Sequence, residues 1–404
     1  MNETLEMSRP REQSSTKAEV RRDKPRIVIV GGGFGGIAAA KALRHCDAEV
    51  VVIDRRNHHI FQPLLYQVAT AVLAPSEVAA PIRQLEAKQK NVSVLLAEVV
   101  GVDVKSRSVD ANCPGIGIKK IGFDYLVVAA GMQSSYFGHD EFAEYAPCLK
   151  TITDAETIRS KILSAYELAE STDDADERQR QMTFVLVGAG PTGVELAASI
   201  AQLASTTLRR NFRRIDPATT TIILLDGARR ILPSFAESLS KKATDHLAKL
   251  GVQVITGAMV ESIDARGVTV GGKLIPCGAV LWTAGVSPSP LVKMLGVATD
   301  RAGRACVGPS LSVPDTPGIF VVGDTATLMQ NGKPLPGVAQ VAIQQGRYVG
   351  QLISRELSGR KPPRPFRYFD KGNMAVVGKN FAIMESGRVR LASTKSLPRA
   401  DAGV

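Results

Sequence analysis

The sequence predicts an α/β chain made of two parallel-sheet units, the second inserted in the first, followed by a short C-terminal segment. Three observations predict it. A strand, a glycine turn, a helix, a second strand and an acid follow one another near the start of the chain. The same order returns 157 residues later, counted from Gly31 to Gly188. Each copy is followed by an apolar run that ends in small residues, at 124–131 and at 279–285.

The first copy begins with Arg26–Val30, whose β-branched run reads as a buried strand. Gly31, Gly33 and Gly36 then stand at G-x-G-x-x-G spacing, with Phe34 and Gly35 between them, and a helix is expected from 36 to about 45. A strand over 49–53 ends on Asp54, 18 residues after Gly36. In such a unit the first glycine makes the tight turn. The second lets backbone approach a pyrophosphate, and the third lets the helix pack close to the strand. The helix N-terminus offers free N–H groups and partial positive charge to the phosphates. Asp54 stands where an acid accepts hydrogen bonds from ribose hydroxyls. A glycine motif alone says little, but the surrounding strand, helix and acid make it specific.

Length and composition bound the rest. At 404 residues, two or three domains are expected rather than one. No run reaches the roughly 18 apolar residues of a membrane span. Residues 1–24 are polar and mixed in charge, and are expected to form a disordered arm rather than a signal peptide. Cys46, Cys113, Cys148, Cys277 and Cys306 are widely spaced, which argues for a reducing compartment and against a metal site or dithiol centre. Of the net charge of +11, residues 360–404 carry ten Lys/Arg against three Asp/Glu, or +7. That tail has no recognisable nucleic-acid module. It suits an anionic membrane surface, or simply solvent.

Further along, residues 57–70 form a loop-like stretch rich in aromatic and amide side chains, beside the first glycine turn. Strands are expected at 92–98 and 99–104, and a hairpin at 106–122. Residues 124–131 read as a buried strand closing on Ala129, Ala130 and Gly131, small enough for backbone to pass close to a ligand. A helix is expected over 151–170, capped by Thr153 and Asp154 and followed by an acidic loop at 172–177. The second copy comes next. Thr183–Val187 is its strand, and Gly188, Gly190 and Gly193 its turn, with Pro191 and Thr192 inside. A helix over 194–204 and a strand over 221–225 lead to Asp226. Asp226 should bind the 2′-hydroxyl of NAD, although Arg229 and Arg230 nearby would suit a 2′-phosphate.

An amphipathic helix at 238–250 stops at Gly251, and strands follow at 252–255, 259–263 and 267–270. The run at 279–285 then mirrors 124–131, ending on Ala284 and Gly285. Residues 318–324 read as a strand ending on Gly323 and Asp324, and an acid there faces the ligand crevice of an open sheet. On the last expected helix, Gln340 and Gln344 are i and i+4, so their two amides share one face and can bond a carbonyl ligand.

These motifs resemble the two-dinucleotide flavoproteins that include glutathione reductase, and more closely the type II NADH dehydrogenases, the non-pumping NADH:quinone oxidoreductases. The resemblance covers roughly residues 25–391. It rests on 61–70, 188–195, 282–286, 322–326, 339–344, 370–375 and 378–382. It implies FAD on a domain made of 25–130 and 300–356, and NADH on a domain at 131–299. For FAD it implies contacts at Gly31, Gly33, Phe34, Gly35, Gly36, Asp54, Gln62, Val99, Ala130, Gly131, Gly323, Asp324 and Ala339. For NADH it implies Gly188, Gly190, Pro191, Thr192, Gly193, Asp226, Ala284 and Gly285. It puts quinone near Gln340 and Gln344, and Glu195 at the nicotinamide–flavin contact.

Two departures stand out. The family usually ends in apolar docking helices, whereas residues 392–398 show no apolar face. The expected C-terminal segment, 357–404, is therefore basic and lacks that anchor, so weak membrane association at most is expected through it. The acid of the second copy is Asp226, where glutamate is common. The chain is thus expected to be cytoplasmic, or peripheral on the inner face of the cytoplasmic membrane, and a homodimer is compatible with the sequence. Two other readings remain open: a related flavoprotein with another acceptor, and a non-catalytic NAD-binding redox sensor. A disulfide reductase needs a cysteine pair that this sequence does not offer.

Overall fold

Five parallel strands carry the first glycine turn. In spatial order they are Ile319–Val321, Tyr125–Val128, Arg26–Val30, Glu49–Asp54 and Val92–Leu96. The structure, a computed structural model, describes residues 23–85 and 87–393. Most of the expected N-terminal arm and the end of the basic tail lie outside the described residues. Ile319–Val321 comes from beyond the second unit, so the second unit is an insertion in chain order.

The second sheet repeats the arrangement with four parallel strands: Val252–Thr256, Thr221–Asp226, Thr183–Val187 and Ala279–Trp282. Each sheet is accompanied by a three-stranded antiparallel meander. One is Glu98–Asp103, Ser108–Cys113 and Gly117–Gly122. The other is Val260–Asp264, Gly267–Val270 and Lys273–Pro276. Between the units, Met132–Ser134 pairs antiparallel with Val286–Pro288.

Small residues decide how the helices sit. Helix Phe34–Ala42 lies against helix Ala339–Leu357. A Cβ on Gly346 would stand 2.0 Å from the carbonyl oxygen of Gly35, and one on Gly350 would stand 2.7 Å from that of Ala39. Any larger residue at either position would force the helices apart. Helix Ile152–Ser171 buries Ile158, Ile162 and Tyr166 against Phe184. Each such apolar side chain removed from water contributes about 1.5–3 kcal/mol.

Two local expectations need correction. The cap of helix Ile152–Ser171 is Thr151 rather than Thr153, and the expected Asp154 completes it. Thr151 Oγ1 accepts from Asp154 N at 3.0 Å, and Asp154 Oδ2 accepts from Thr151 N at 2.8 Å. The reciprocal pair satisfies two helix-start donors. The acidic loop expected at 172–177 gives way to a further helix, Ala175–Gln181. Asp174 caps it, accepting from the N–H groups of Asp176 and Glu177. Its acids are first-turn residues, favoured there by the helix dipole.

The C-terminal strands Asn373–Val376, Ala382–Ser386 and Val389–Ser393 form an antiparallel sheet. Its inner face buries Ala375, Val377 and Ile383 in the core of the second unit. Its other face aligns Met374, Met384 and Leu391 in one row.

Candidate active site

Both glycine turns are built alike. Gly31 and Gly188 have φ of +107° and +104°, and a Cβ on either would collide with the small-residue end of a neighbouring strand, at Ala129 and Ala284 respectively. Gly36 and Gly193 approach the carbonyl oxygens of Gly31 and Gly188 so closely that a Cβ would stand 1.8 Å away. These four glycines are explained by the protein itself.

The middle glycines are not. Gly33 has φ −79° and Gly190 φ −71°, values open to any residue. A Cβ at either would meet no protein atom within 4 Å. Neither strain nor packing asks for glycine there. Space for a ligand does, and a pyrophosphate lying on the backbone at a helix N-terminus fits both turns.

The two acids latch these turns. Asp54 Oδ2 accepts from Gly32 N at 2.6 Å and Oδ1 from Arg56 N at 2.7 Å. Asp226 Oδ2 accepts from Ala189 N at 2.5 Å and Oδ1 from Ala228 N at 2.7 Å. Each carboxylate oxygen keeps a lone pair for a ribose hydroxyl. The guanidinium of Arg230 is occupied, donating to Phe235 O, Ser240 Oγ and Pro233 O. That engagement removes one of the two arginines that suited a 2′-phosphate.

The other first-unit positions gather at the carboxyl ends of the same strands. Ala130 and Gly131 follow Tyr125–Val128, and Gly323 and Asp324 follow Ile319–Val321. Ala339 opens helix Ala339–Leu357. Gln62 is exposed at the start of a short 3-10 turn. Val99 stands apart: its side chain is buried among the core residues of the first unit. Burial pushes the Asp324 carboxyl up, opposed chiefly by the Lys150 ammonium. Burial pulls Lys150 down, opposed by Asp324. Among the described residues neither charged group has a hydrogen-bonding partner. Half-buried charges left so are costly unless a ligand meets them.

Glu195 lies on helix Pro191–Gln202, and its Oε1 accepts from Val376 N at 3.2 Å. Burial pushes this carboxyl up to about 8, against the pull of that N–H. It therefore holds its proton at neutral pH. Above this helix sits the 61–70 segment, which buries Leu65, Tyr66, Val68, Ala69 and Thr70. Thr70 and Ser199 hydroxyls meet at 2.7 Å, tying the segment to the second unit.

The paired glutamines turn out unlike each other. Gln344 is engaged at both ends: its Nε2 donates to Phe369 O at 2.9 Å, and its Oε1 accepts from Phe369 N at 3.0 Å. Gln340 is half-buried, and its side-chain amide makes no hydrogen bond among the described residues.

Sequence reasoning missed three residues. Gln345, 1% exposed, accepts from Gly323 N at 2.7 Å and so fixes the turn that carries Asp324. The packing glycine beside it, Gly346, is the signal that this face of the helix points inward. His59 Nδ1 donates to Gly32 O at 3.0 Å in the matching tautomer, and its ring meets Phe34 edge-on at 4.9 Å. Lys150 had no sequence signal beyond its place before the Thr151 cap. All five cysteines are free, and Cys46, Cys113 and Cys277 are buried.

The pyridine nucleotide-disulphide oxidoreductase family model matches residues 25–346. Among curated proteins, the type II NADH:quinone oxidoreductase NdhA of Mycobacterium tuberculosis is 44% identical over 380 residues, spanning 91% of this chain and 80% of that one. Ndh of the same organism, which carries the same description, is 45% identical, spanning 94% of this chain and 83% of that one. Among solved structures, NDH2 from Plasmodium falciparum in complex with NADH superposes with a TM-score of 0.82 at 20% identity, covering 92% of both chains. The chain belongs to the pyridine nucleotide-disulphide oxidoreductases, and within them to the type II NADH:quinone oxidoreductases.

Proposed function

We infer that the chain oxidises NADH through bound FAD and passes two electrons to a quinone, without proton pumping. The observation that carries this reading is the pair of open glycines, Gly33 and Gly190, each in a turn latched by an acid. Two such cradles in one chain suit two dinucleotides. Bound FAD would supply the redox chemistry between the two substrates.

The chain's own residues bind, orient and hold protons. The turn from Gly31 to Gly36 and the helix behind it hold the FAD pyrophosphate, and Asp54 the adenosine ribose. Asp324 and Lys150 offer opposite charges at the far end of the same sheet edge. The turn from Gly188 to Gly193 holds the NADH pyrophosphate, and Asp226 selects NADH by bonding its ribose and repelling a 2′-phosphate. Glu195 stays neutral at pH 7 and so keeps negative charge away from the place where hydride leaves. Gln340, whose amide is free to donate, meets a quinone carbonyl and favours the charge that develops there. Gln344 supports that face by fixing the backbone at Phe369.

Peripheral seating on the inner face of the cytoplasmic membrane belongs to the same reading. No helix among the described residues is long and apolar enough to cross a membrane. The outer row of the C-terminal sheet includes Met374, 52% exposed, and Leu391, 46% exposed. The +7 charge of residues 360–404 complements anionic lipid.

The test is spectroscopic. Purified protein should show oxidised-flavin absorbance, which anaerobic NADH bleaches and a soluble quinone restores. Absorbance that NADH leaves unchanged would refute the donor. Bleaching that quinone fails to reverse would refute the acceptor.

A further inference from the structure

Phe137 is an aromatic side chain held in an unfavourable place. It is 67% exposed, and its φ is +56°, in the left-handed region that bulky residues rarely adopt. Gly138 follows with φ +94°. The ring is nevertheless fixed. A Cβ on Gly285 would stand 2.4 Å from its Cζ. Its centroid lies 6.4 Å from that of the Trp282 ring. Phe137 N donates to Ser135 Oγ at 3.2 Å, and Trp282 Nε1 donates to Ser135 O at 2.9 Å. The loop is thus bound to the carboxyl end of Ala279–Trp282, and the pairing of Met132–Ser134 with Val286–Pro288 holds it from behind.

That place has a meaning in the second sheet. Thr183–Val187 runs between Thr221–Asp226 on one side and Ala279–Trp282 on the other. Along the carboxyl edge the order is therefore Asp226, the glycine turn, and the Thr283–Ala284–Gly285 turn. A dinucleotide with its adenosine ribose on Asp226 and its pyrophosphate on the glycine turn places its other half toward Gly285. Phe137 is the ring that stands on Gly285.

We propose that Phe137 is a binding residue for the nicotinamide half of NADH, its exposed ring packing on the nicotinamide riboside at Gly285. The proposal rests on NADH being the donor. It accounts for both oddities of Phe137, since the left-handed backbone is what brings an otherwise wasted ring over the crevice.

The experiment compares the holoprotein with Phe137→Gly and Phe137→Tyr. Glycine accepts φ +56° without strain, so it removes the ring without forcing the backbone out of its left-handed turn. Phe137→Asn, which also tolerates that region, repeats the test if glycine loosens the loop. Steady-state oxidation of NADH by a soluble quinone gives KM and kcat. Inhibition by ADP, which occupies only the adenosine side, reports on the rest of the site. A ring stacked on a base-like group is expected to raise KM for NADH about fivefold or more when lost. The ADP inhibition constant and the thermal midpoint should not worsen, and Phe137→Tyr should keep KM near that of the unmutated chain. An unchanged KM in Phe137→Gly, with the unmutated chain oxidising NADH normally, overturns this proposal alone. A parallel rise in KM and in the ADP constant also overturns it, because it marks a displaced unit rather than a lost contact. Failure of the unmutated, FAD-loaded chain to oxidise NADH would sink the donor reading instead.

Discussion

Replacing Glu195 with glutamine removes a titration that the fold has displaced. Burial pushes this carboxyl up to about 8 from an ordinary 4.5, while the Val376 N–H pulls it down. The folded chain thus holds a proton that the unfolded chain has released, and stability falls as pH rises from about 4.5 through about 8. Below that window the contribution vanishes. Above it the full offset, about 3.5 units at 1.36 kcal/mol each, is roughly 5 kcal/mol. This is an upper bound, since a half-buried carboxylate keeps some solvent. The offset is about 1.5 units at pH 6 and about 3.5 at pH 9, a difference worth roughly 3 kcal/mol. Glutamine keeps the shape and an acceptor for Val376 N but cannot ionise. In chemical denaturation of the holoprotein, the stability of Glu195→Gln relative to the unmutated chain should therefore rise by up to about 3 kcal/mol between pH 6 and pH 9. In stopped flow, flavin reduction by NADH should lose its pH inflection near 8 in the variant, while reoxidation by quinone keeps its profile. Stability curves that stay parallel from pH 6 to 9 would refute the raised carboxyl and the role built on it.

Gly33→Val should leave the thermal midpoint of the FAD-free chain unchanged, yet weaken FAD binding at least tenfold, about 1.4 kcal/mol, as measured by flavin retention on dialysis. Asp226→Ala should raise KM for NADH about tenfold or more, because a charge-assisted bond is worth roughly 1.5–3 kcal/mol. Comparable efficiency with NADPH in the unmutated protein would contradict that selectivity. Gln340→Leu should slow quinone turnover roughly 5- to 100-fold, the equivalent of about 1–3 kcal/mol for one lost donor, with flavin reduction by NADH near normal. Gln344→Leu should in addition raise protease sensitivity around Phe369, because it frees that backbone. Binding to anionic vesicles should disappear at high salt, and salt-resistant pelleting would point to an apolar anchor instead.

Much of this molecule was legible because its two sheets are written in local patterns. A β-branched run, a glycine spacing and an acid at the next strand's end specify one supersecondary unit, and its recurrence specifies the second. The sheet orders agree with that reading down to Asp54 and Asp226. What escaped was long-range partnering. Nothing near Lys150 in sequence announces Asp324, 174 residues away, as its chief opposing charge. Nothing near Gln344 announces the backbone of Phe369. Helical spacing paired Gln340 with Gln344 correctly by face, but face alone does not say which amide another segment has already claimed. The cap at Thr151 was a nearer miss, since Thr151-x-x-Asp154 is itself a readable pattern.

The glycines show where sequence stops and structure must decide. All six motif glycines look equivalent in the sequence. Four of them are required by the fold: Gly31 and Gly188 by their left-handed backbone, Gly36 and Gly193 by the carbonyls they press against. Such glycines would persist in a turn that bound nothing. Gly33 and Gly190 have ordinary backbone angles and open space, so only something beyond the chain explains them. Two bound dinucleotides are therefore called for less by the motif than by the one position in each motif that the protein does not need. Phe137 is the converse case, a residue the fold tolerates at a cost in backbone strain. Both depart from local preference, and both stand on the crevice side of the sheets, at the carboxyl ends of the strands, where open α/β sheets bind their ligands.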